Sequence, residues 1–180
     1  MHFRKANLAD VDAIENLHAE SWLDTYRGIL SDEYLDADLL NERKQFWAKR
    51  LGVPQHSQWI ILAEEQKGLA GFACAYGAHD PEQGTLLENL HLSKLRRGTG
   101  LGASLVRAVM QWSAQSHPNA GVHLWALELN ASARRFYEHM GGVVTATGTW
   151  SPPIGPAVAE VRYSWYQPFP LLQIDAQAFH

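Results

Sequence analysis

The chain has almost no cysteine: a single one, Cys74, in 180 residues. That excludes an internal disulfide and a cysteine-based metal site. Cys74 sits in the apolar stretch Leu69 to Tyr76, where a buried structural thiol is expected rather than a nucleophile. No apolar run approaches the ~18 residues of a membrane span. Met1-His2-Phe3-Arg4-Lys5 has no apolar leader-like region, so the expected location is cytoplasmic, with no membrane partner. An excess of positive charge is also missing. The formal net charge is −4, and the chain as a whole carries no nucleic-acid footprint. The nine histidines are scattered, and no two show the His-x-x-x-His spacing around a Glu that a zinc enzyme needs. No metal is expected. Internal repeats and low-complexity tracts are absent as well.

What is present is an ordinary globular composition, 46% hydrophobic and 19% charged, long enough for one domain with a real core. A strand is expected at His2 to Ala6. Asn7 with Asp10 has the form of a helix start, a capping side chain with an acid three residues on. The first helix then buries Val11, Ile14, Leu17 and Trp22 and runs to Asp24. A bend at Tyr26-Arg27-Gly28-Ile29-Leu30 follows, and Ser31 opens one further helical region containing Leu39, Leu40, Phe46 and Trp47.

After Pro54 the period changes. Trp59 to Ala63 and Leu69 to Tyr76 are short and apolar, joined by a hairpin turn at Glu65-Gln66-Lys67-Gly68. A third run spans Thr85 to Leu92. A helix after the glycines at 98, 100 and 102 ends near Ser116, because Pro118 and Gly121 forbid its continuation. Val122 to Leu127 is a buried strand, Asn130 caps a helix over Ala131 to Met140, and strands at Val143 to Trp150 and Val158 to Trp165 flank a Pro-rich loop. The order β-α-α-β-β-β-α-β-α-β-β predicts an α/β chain of the α+β type, with a mixed sheet of about seven strands and four helices. A single domain over 1–166 and a tail over 167–180 are expected.

Arg97-Gly98-Thr99-Gly100-Leu101-Gly102 is the most informative stretch. Glycines let a backbone approach a ligand closely, and N–H groups are left free where a helix begins. Free N–H groups and the positive end of the helix dipole attract phosphate, and Arg97 adds a cation suited to phosphate oxygens. Gly98, Gly100 and Ala103 also satisfy a dinucleotide-type Gly-x-Gly-x-x-Gly/Ala pattern. The context argues against that use: hairpins precede it, several residues separate strand from glycine, and no acid follows about 20 residues on to hold a ribose.

The glycine run matches the Arg/Gln-x-x-Gly-x-Gly/Ala block of the GCN5-related N-acetyltransferase (GNAT) superfamily. Asn130, Ala133, Phe136, Tyr137 and Gly141 match a second block of that superfamily, Asn-x-x-Ala-x-x-Phe-Tyr-x-x-x-Gly. With both blocks in order, the chain resembles a GNAT protein, and Trp22 to Ile29 resembles the corresponding bend of many bacterial relatives. Lys94, Arg96 and Gly142 depart from the Pro, aromatic and Phe common at those positions; none removes a backbone donor. The resemblance implies a centrally splayed sheet and acetyl-CoA as co-substrate. The backbone from Gly98 through Thr99, Gly100, Leu101 and Gly102 to Ala103, with Arg97, would hold its diphosphate. Leu90, His91 and Leu92 would pair with the pantetheine arm, and a backbone N–H of Leu90 or His91 would polarise the thioester carbonyl. Asn130 would bond the arm, and Tyr137 would protonate the departing thiolate.

The implied reaction is transfer of an acetyl group to a primary amine of a small molecule or peptide, by direct attack on the thioester. A lysine-like amine of pKa about 10.4 is only about 0.04% neutral at pH 7, whereas an α-amino group near 7.8 is about 14% neutral. The need for a base therefore depends on the acceptor. Glu88, the one acid in the apolar strand expected to line the thioester, is the candidate base, acting directly or through water. Alternation leaves open an outward-facing Glu88, because a bulge would change its side. Trp22, Tyr26 and Arg27 are candidates for an acceptor wall, and equally for a staple into the core. A non-catalytic acyl-CoA-binding module of the same fold is the alternative function. The tail over 167–180 suits packing on a second subunit, as a homodimer, as well as on its own domain.

Overall fold

In the computed structural model of the chain, which describes residues 1–36, 39–167 and 169, the first strand and first helix meet at an ionic knot. Strand β1 (His2–Lys5) pairs antiparallel with β2 (Gln58–Glu65). Asn7 Oδ1 then accepts from the Ala9 N–H at 2.9 Å, and Asp10 Oδ2 accepts from the Asn7 N–H at 2.8 Å. Asn7 caps as expected, and the bond back from Asp10 makes the cap reciprocal; it opens one 3-10 turn (Leu8–Asp10) before α1 (Val11–Tyr26). The Arg4 guanidinium donates to both Asp10 oxygens, at 2.6 and 2.8 Å, and to both Glu64 oxygens on β2.

The expected second helical region is two helices, α2 (Asp32–Asp36) and α3 (Leu39–Gly52), making five α-helices instead of four among the described residues. Their buried side chains go to different places. Tyr34, Leu35 and Leu39 join a small cluster with Leu30, whereas Trp47 packs under the sheet with Val11, Ile14 and Phe72. α3 itself reaches both, with Leu39 at its start in the first cluster and Trp47 in the second. Ser31 starts α2 by accepting from the Tyr34 N–H through Oγ at 3.3 Å.

Seven strands form one sheet, ordered β1-β2-β3-β4-β5-β7-β6, with β3 at Gly68–Asp80, β4 at Gly84–Leu92, β5 at Val122–Leu127, β6 at Val143–Trp150 and β7 at Val158–Trp165. All neighbours are antiparallel except β4 and β5. Helices α1 and α3 cover one face. The other is covered by α4 (Leu101–Ser116), whose Leu101, Leu105, Ala108 and Val109 are buried at helical spacing, and by α5 (Ala131–His139).

Two irregularities in β4 shape the centre. Cys74 pairs with Asn89 and Ala75 with Leu87, so Glu88 is the extra residue of a bulge. Further, β4 and β5 pair only through Thr85↔Val122 and Leu86↔His123. Beyond Leu86 the two strands share no ladder, which is the central splay the resemblance implies. The expected tail over 167–180 lies outside the described residues apart from Gln167 and Phe169.

Asp10 is 7% exposed, and hydrogen bonds from Arg4, then from the Asn7 amide, hold its carboxyl below the usual range. Asp10→Ala should lower unfolding free energy by about 1–3 kcal/mol in denaturant titrations at pH 7. A depressed carboxyl stabilises above its unfolded pKa of about 3.9 and loses that contribution as pH falls through the folded value, so the deficit should shrink below about pH 4.

Candidate active site

The start of α4 has a special backbone. Gly98 and Gly100 lie at φ +73° and +86°, and a Cβ at either would meet nothing within 4 Å. Their requirement is conformational, not spatial. Thr99 Oγ1 donates to the Arg96 carbonyl at 2.7 Å and braces the turn. Ser104 is the first residue whose N–H returns to the helix, to the Gly100 carbonyl at 3.1 Å; among the described residues the amides of 98–103 find no backbone or side-chain acceptor. Six donors converge at the positive end of a sixteen-residue helix.

Gly98, Gly100, Gly102 and Ala103 of this row border a cavity of about 960 Å³. Leu90, His91 and Leu92 of β4 form one side, Trp125 and Ala126 of β5 the other, past the point where the strands cease to pair. Asn130, Ala133, Phe136 and Tyr137 close it from α5, and Ser21, Asp24, Thr25 and Tyr26 from the end of α1. Most of the expected site residues are thus brought together: Leu90, His91, Leu92, Arg97, Gly98, Gly100, Gly102, Ala103, Asn130, Tyr137 and Tyr26 all line one space. Leu101 faces the core at 5% exposure, and Thr99 points to Arg96. Asn130 caps α5, its Oδ1 accepting from the Ala133 N–H at 3.1 Å, which leaves its amide NH₂ to donate elsewhere.

Three expected residues lie elsewhere. Trp22 packs edge-on to Tyr26, Tyr34 and Trp150, with the Arg43 guanidinium 4.8 Å above its ring. Arg27 reaches Asp32 at 2.8 Å and Asp36 at 2.7 Å, tying the bend to α2. Glu88, thrown out of the ladder by its bulge, forms a two-pronged pair with Arg50 of α3 and does not line the cavity.

The basic residues around the glycine turn, Lys94, Arg96 and Arg97, find acidic partners within the chain. Lys94 bonds Asp24 at 2.7 Å, Arg96 bonds Glu65 at 2.5 Å, and Arg97 pairs with Asp24 and reaches Thr25 Oγ1 at 3.3 Å. Lys94 first, then the Arg97 charge, holds the Asp24 carboxyl below its usual range. Asp24 and Thr25 lie about seventy residues from Lys94 and Arg97, and Glu65 lies 31 from Arg96, all beyond the reach of local patterning. Arg107 and Trp125 also line the cavity and were not expected. Arg107 had a readable signal, since it follows Ala103 at i+4 and so shares its helix face.

Burial tunes the titrating groups. Desolvation raises the Tyr137 phenol well above its ordinary value, helped by the neighbouring Tyr26, so it keeps its proton throughout the neutral range. The Cys74 thiol is pushed up to about 12 by burial and is inert, as expected. The His91 ring turns from β4 to α1, where Nδ1 lies 3.1 Å from Ser21 Oγ and the ring 4.2 Å from that of His18. Desolvation, then the charges of Arg43 and Arg97, brings His91 down to about 3. His18 is fully buried, accepts from Trp47 Nε1 at 3.0 Å, and is likewise lowered by desolvation and then by His91.

Comparison with known proteins agrees with this geometry. The acetyltransferase (GNAT) family model matches residues 12–142. The chain belongs to the GNAT family. It is therefore an acyltransferase of the N-acetyltransferase class. It is 29% identical to Probable N-acetyltransferase Rv2775 of Mycobacterium tuberculosis over 94% of this chain and 96% of the relative. Its fold superposes on the PaiA N-acetyltransferase of Thermoplasma acidophilum, solved with coenzyme A, at a TM-score of 0.72, with 18% identity and 91% and 98% of the two chains covered. It also superposes on yncA of Salmonella typhimurium, solved with acetyl-CoA, at 0.66, with 18% identity and 92% and 93% covered.

The buried histidines generate a pH signature for this GNAT protein. Above about pH 6.5 both rings are neutral in folded and unfolded chains alike; below it the unfolded chain binds protons that the folded chain refuses. Stability should therefore fall from pH 6.5 toward 4, by up to about 1.4 kcal/mol per pH unit for each ring. Denaturant titrations across that range should show a shallower slope for His91→Gln.

Proposed function

We propose that this GNAT protein is an acetyl-CoA-dependent N-acetyltransferase acting on a primary amine of a small molecule or peptide. The observation that carries the reading is the row of unpartnered amides at residues 98–103, of which Gly98, Gly100, Gly102 and Ala103 line a cavity that separates β4 from β5. The donor set suits a diphosphate: six N–H groups, a helix N-terminus, and backbone turned by glycines at positive φ. The coenzyme A and acetyl-CoA held by the PaiA and yncA structures support the same assignment.

When bound, acetyl-CoA supplies an activated acyl group, and the chain's residues orient and polarise it. Amides of 98–103 hold the diphosphate. The unpaired edge of β4 at Leu90–Leu92 offers N–H and C=O groups to the amide-bearing pantetheine arm, as one strand adds to another. The N–H of Leu90 or His91 donates to the thioester oxygen, where negative charge develops. The neutral His91 ring keeps no competing cation beside that oxygen. The Asn130 amide steadies the arm. Tyr137, protonated across the working range, delivers its proton to the leaving sulfur.

Direct attack by the amine is the route assigned. The chain's single thiol is buried on β3 and held in its protonated form. The acceptor approaches past Tyr26, with Trp22 and Arg27 supporting that wall from behind. Glu88 accepts the amine's proton through an intervening water, since its carboxylate lies outside the cavity lining. The same placement favours a second reading, a non-catalytic acyl-CoA-binding module, in which Glu88 only secures α3 through Arg50.

An amine panel that includes peptides, followed by thiol release from acetyl-CoA, separates the two. Acetyl transfer to at least one amine is expected; binding of acetyl-CoA without turnover on any would select the module. Tyr137→Phe should lower kcat on the order of 10²-fold while acetyl-CoA affinity stays within about twofold. A change in affinity alone would remove the proton-donor role. Mass spectrometry of enzyme quenched during turnover should find no acetylated protein.

A further inference from the structure

The cations lining the cavity are of two kinds. Arg97 is already matched with Asp24, which is itself the one carboxylate among the lining residues. Arg107 is not matched. It interrupts the apolar run Leu105 to Met110 on α4, yet among the described residues it forms no ion pair and no hydrogen bond, and its buried Nε has no acceptor. A buried guanidinium N–H without an acceptor is destabilising unless something outside the protein fills the role. The cavity is the place that something would come from.

Position on the helix narrows its chemistry. Arg107 follows Ala103 by four residues, so it faces the same side, roughly 6 Å further along the axis at 1.5 Å per residue. The amides ending at Ala103 suit a diphosphate, so a free cation one turn beyond suits a further anionic group on the same ligand. Coenzyme A carries one, a phosphate on the 3′-oxygen of the ribose whose 5′-oxygen bears the diphosphate. A guanidinium meets such a phosphate with two parallel N–H donors.

We infer that Arg107 binds the ribose 3′-phosphate of coenzyme A and makes the protein select the 3′-phosphorylated carrier over its 3′-dephospho form. This rests on the acetyl-CoA reading above and deepens it. Arg97, by contrast, works as a brace: with Lys94 it locks the glycine turn to the end of α1 through Asp24.

Calorimetric titration with coenzyme A and with 3′-dephospho-coenzyme A tests the inference without any acceptor amine. The wild-type protein should bind coenzyme A about tenfold more tightly, the scale of one charge-assisted hydrogen-bonded contact, and the ratio should fall as salt rises. In Arg107→Gln the ratio should drop to about one through weaker binding of coenzyme A, with affinity for the dephospho form unchanged. Should that variant not fold, Arg107→Lys replaces it and must lower the ratio, because an ammonium loses the two-pronged contact. Equal binding of the two ligands by the wild type, or an equal loss for both in the variant, overturns the role of Arg107. Failure of the wild type to bind either ligand overturns the acetyl-CoA reading beneath it.

Discussion

Backbone amides that the protein itself cannot satisfy are what the rest of this structure is arranged around. A helix start always leaves its first N–H groups without intrahelical partners. Most helices cover them with a capping side chain, as Asn7 and Asn130 do here. At α4 no side chain does so: Gly100 stands at the cap position with φ +86° and no side chain to offer. Gly98 adds a second left-handed residue, which lengthens the row of unpaired donors to 98–103. The ion pairs of Arg97 and Lys94 with Asp24 fix this turn against α1, so the donors hold their direction without contributing their own bonds to the fold.

A second feature makes the donors useful: the sheet opens beside them. Parallel strands β4 and β5 share just two residue pairs, and the bulge at Glu88 in the β3–β4 ladder falls just beyond the point where they part. The free edge of β4 at Leu90–Leu92 and the phenol of Tyr137 then border one continuous space. Electrostatics within it are consistent in sign. Positive dipole and guanidinium lie at the glycine end, while buried groups deeper in, His91 and Tyr137, are held neutral by desolvation. This arrangement suits an anion at the mouth and, on the proposed reading, a neutral amine meeting a neutral acyl group inside.

How much of this was legible beforehand follows the range of the forces involved. Local signals read well. The Asn7/Asp10 cap, the glycine turn, the Asn130 cap and all seven strands come from short windows in which turn chemistry and apolar period agree. Contacts set by folding did not read. Arg97 looked like a free cation because Asp24 lies seventy-three residues away. The side taken by Glu88 stayed open because strand alternation cannot foresee where a bulge falls. The division of the second helical region into α2 and α3 was not legible either. Trp125 gave no signal, whereas Arg107 could have been found from its helix face alone.

The central claim is that unpartnered amides, and not side-chain cations, grip the diphosphate of a thioester carrier. Amide-resolved NMR during titration with coenzyme A tests it most directly. The N–H resonances of Gly98, Thr99, Gly100, Leu101, Gly102 and Ala103 should move together and most strongly, downfield as they acquire acceptors, and pantetheine without the nucleotide should leave them in place. Saturable coenzyme A binding that leaves those six resonances unmoved, or the same shifts with NAD at equal affinity, would contradict the account.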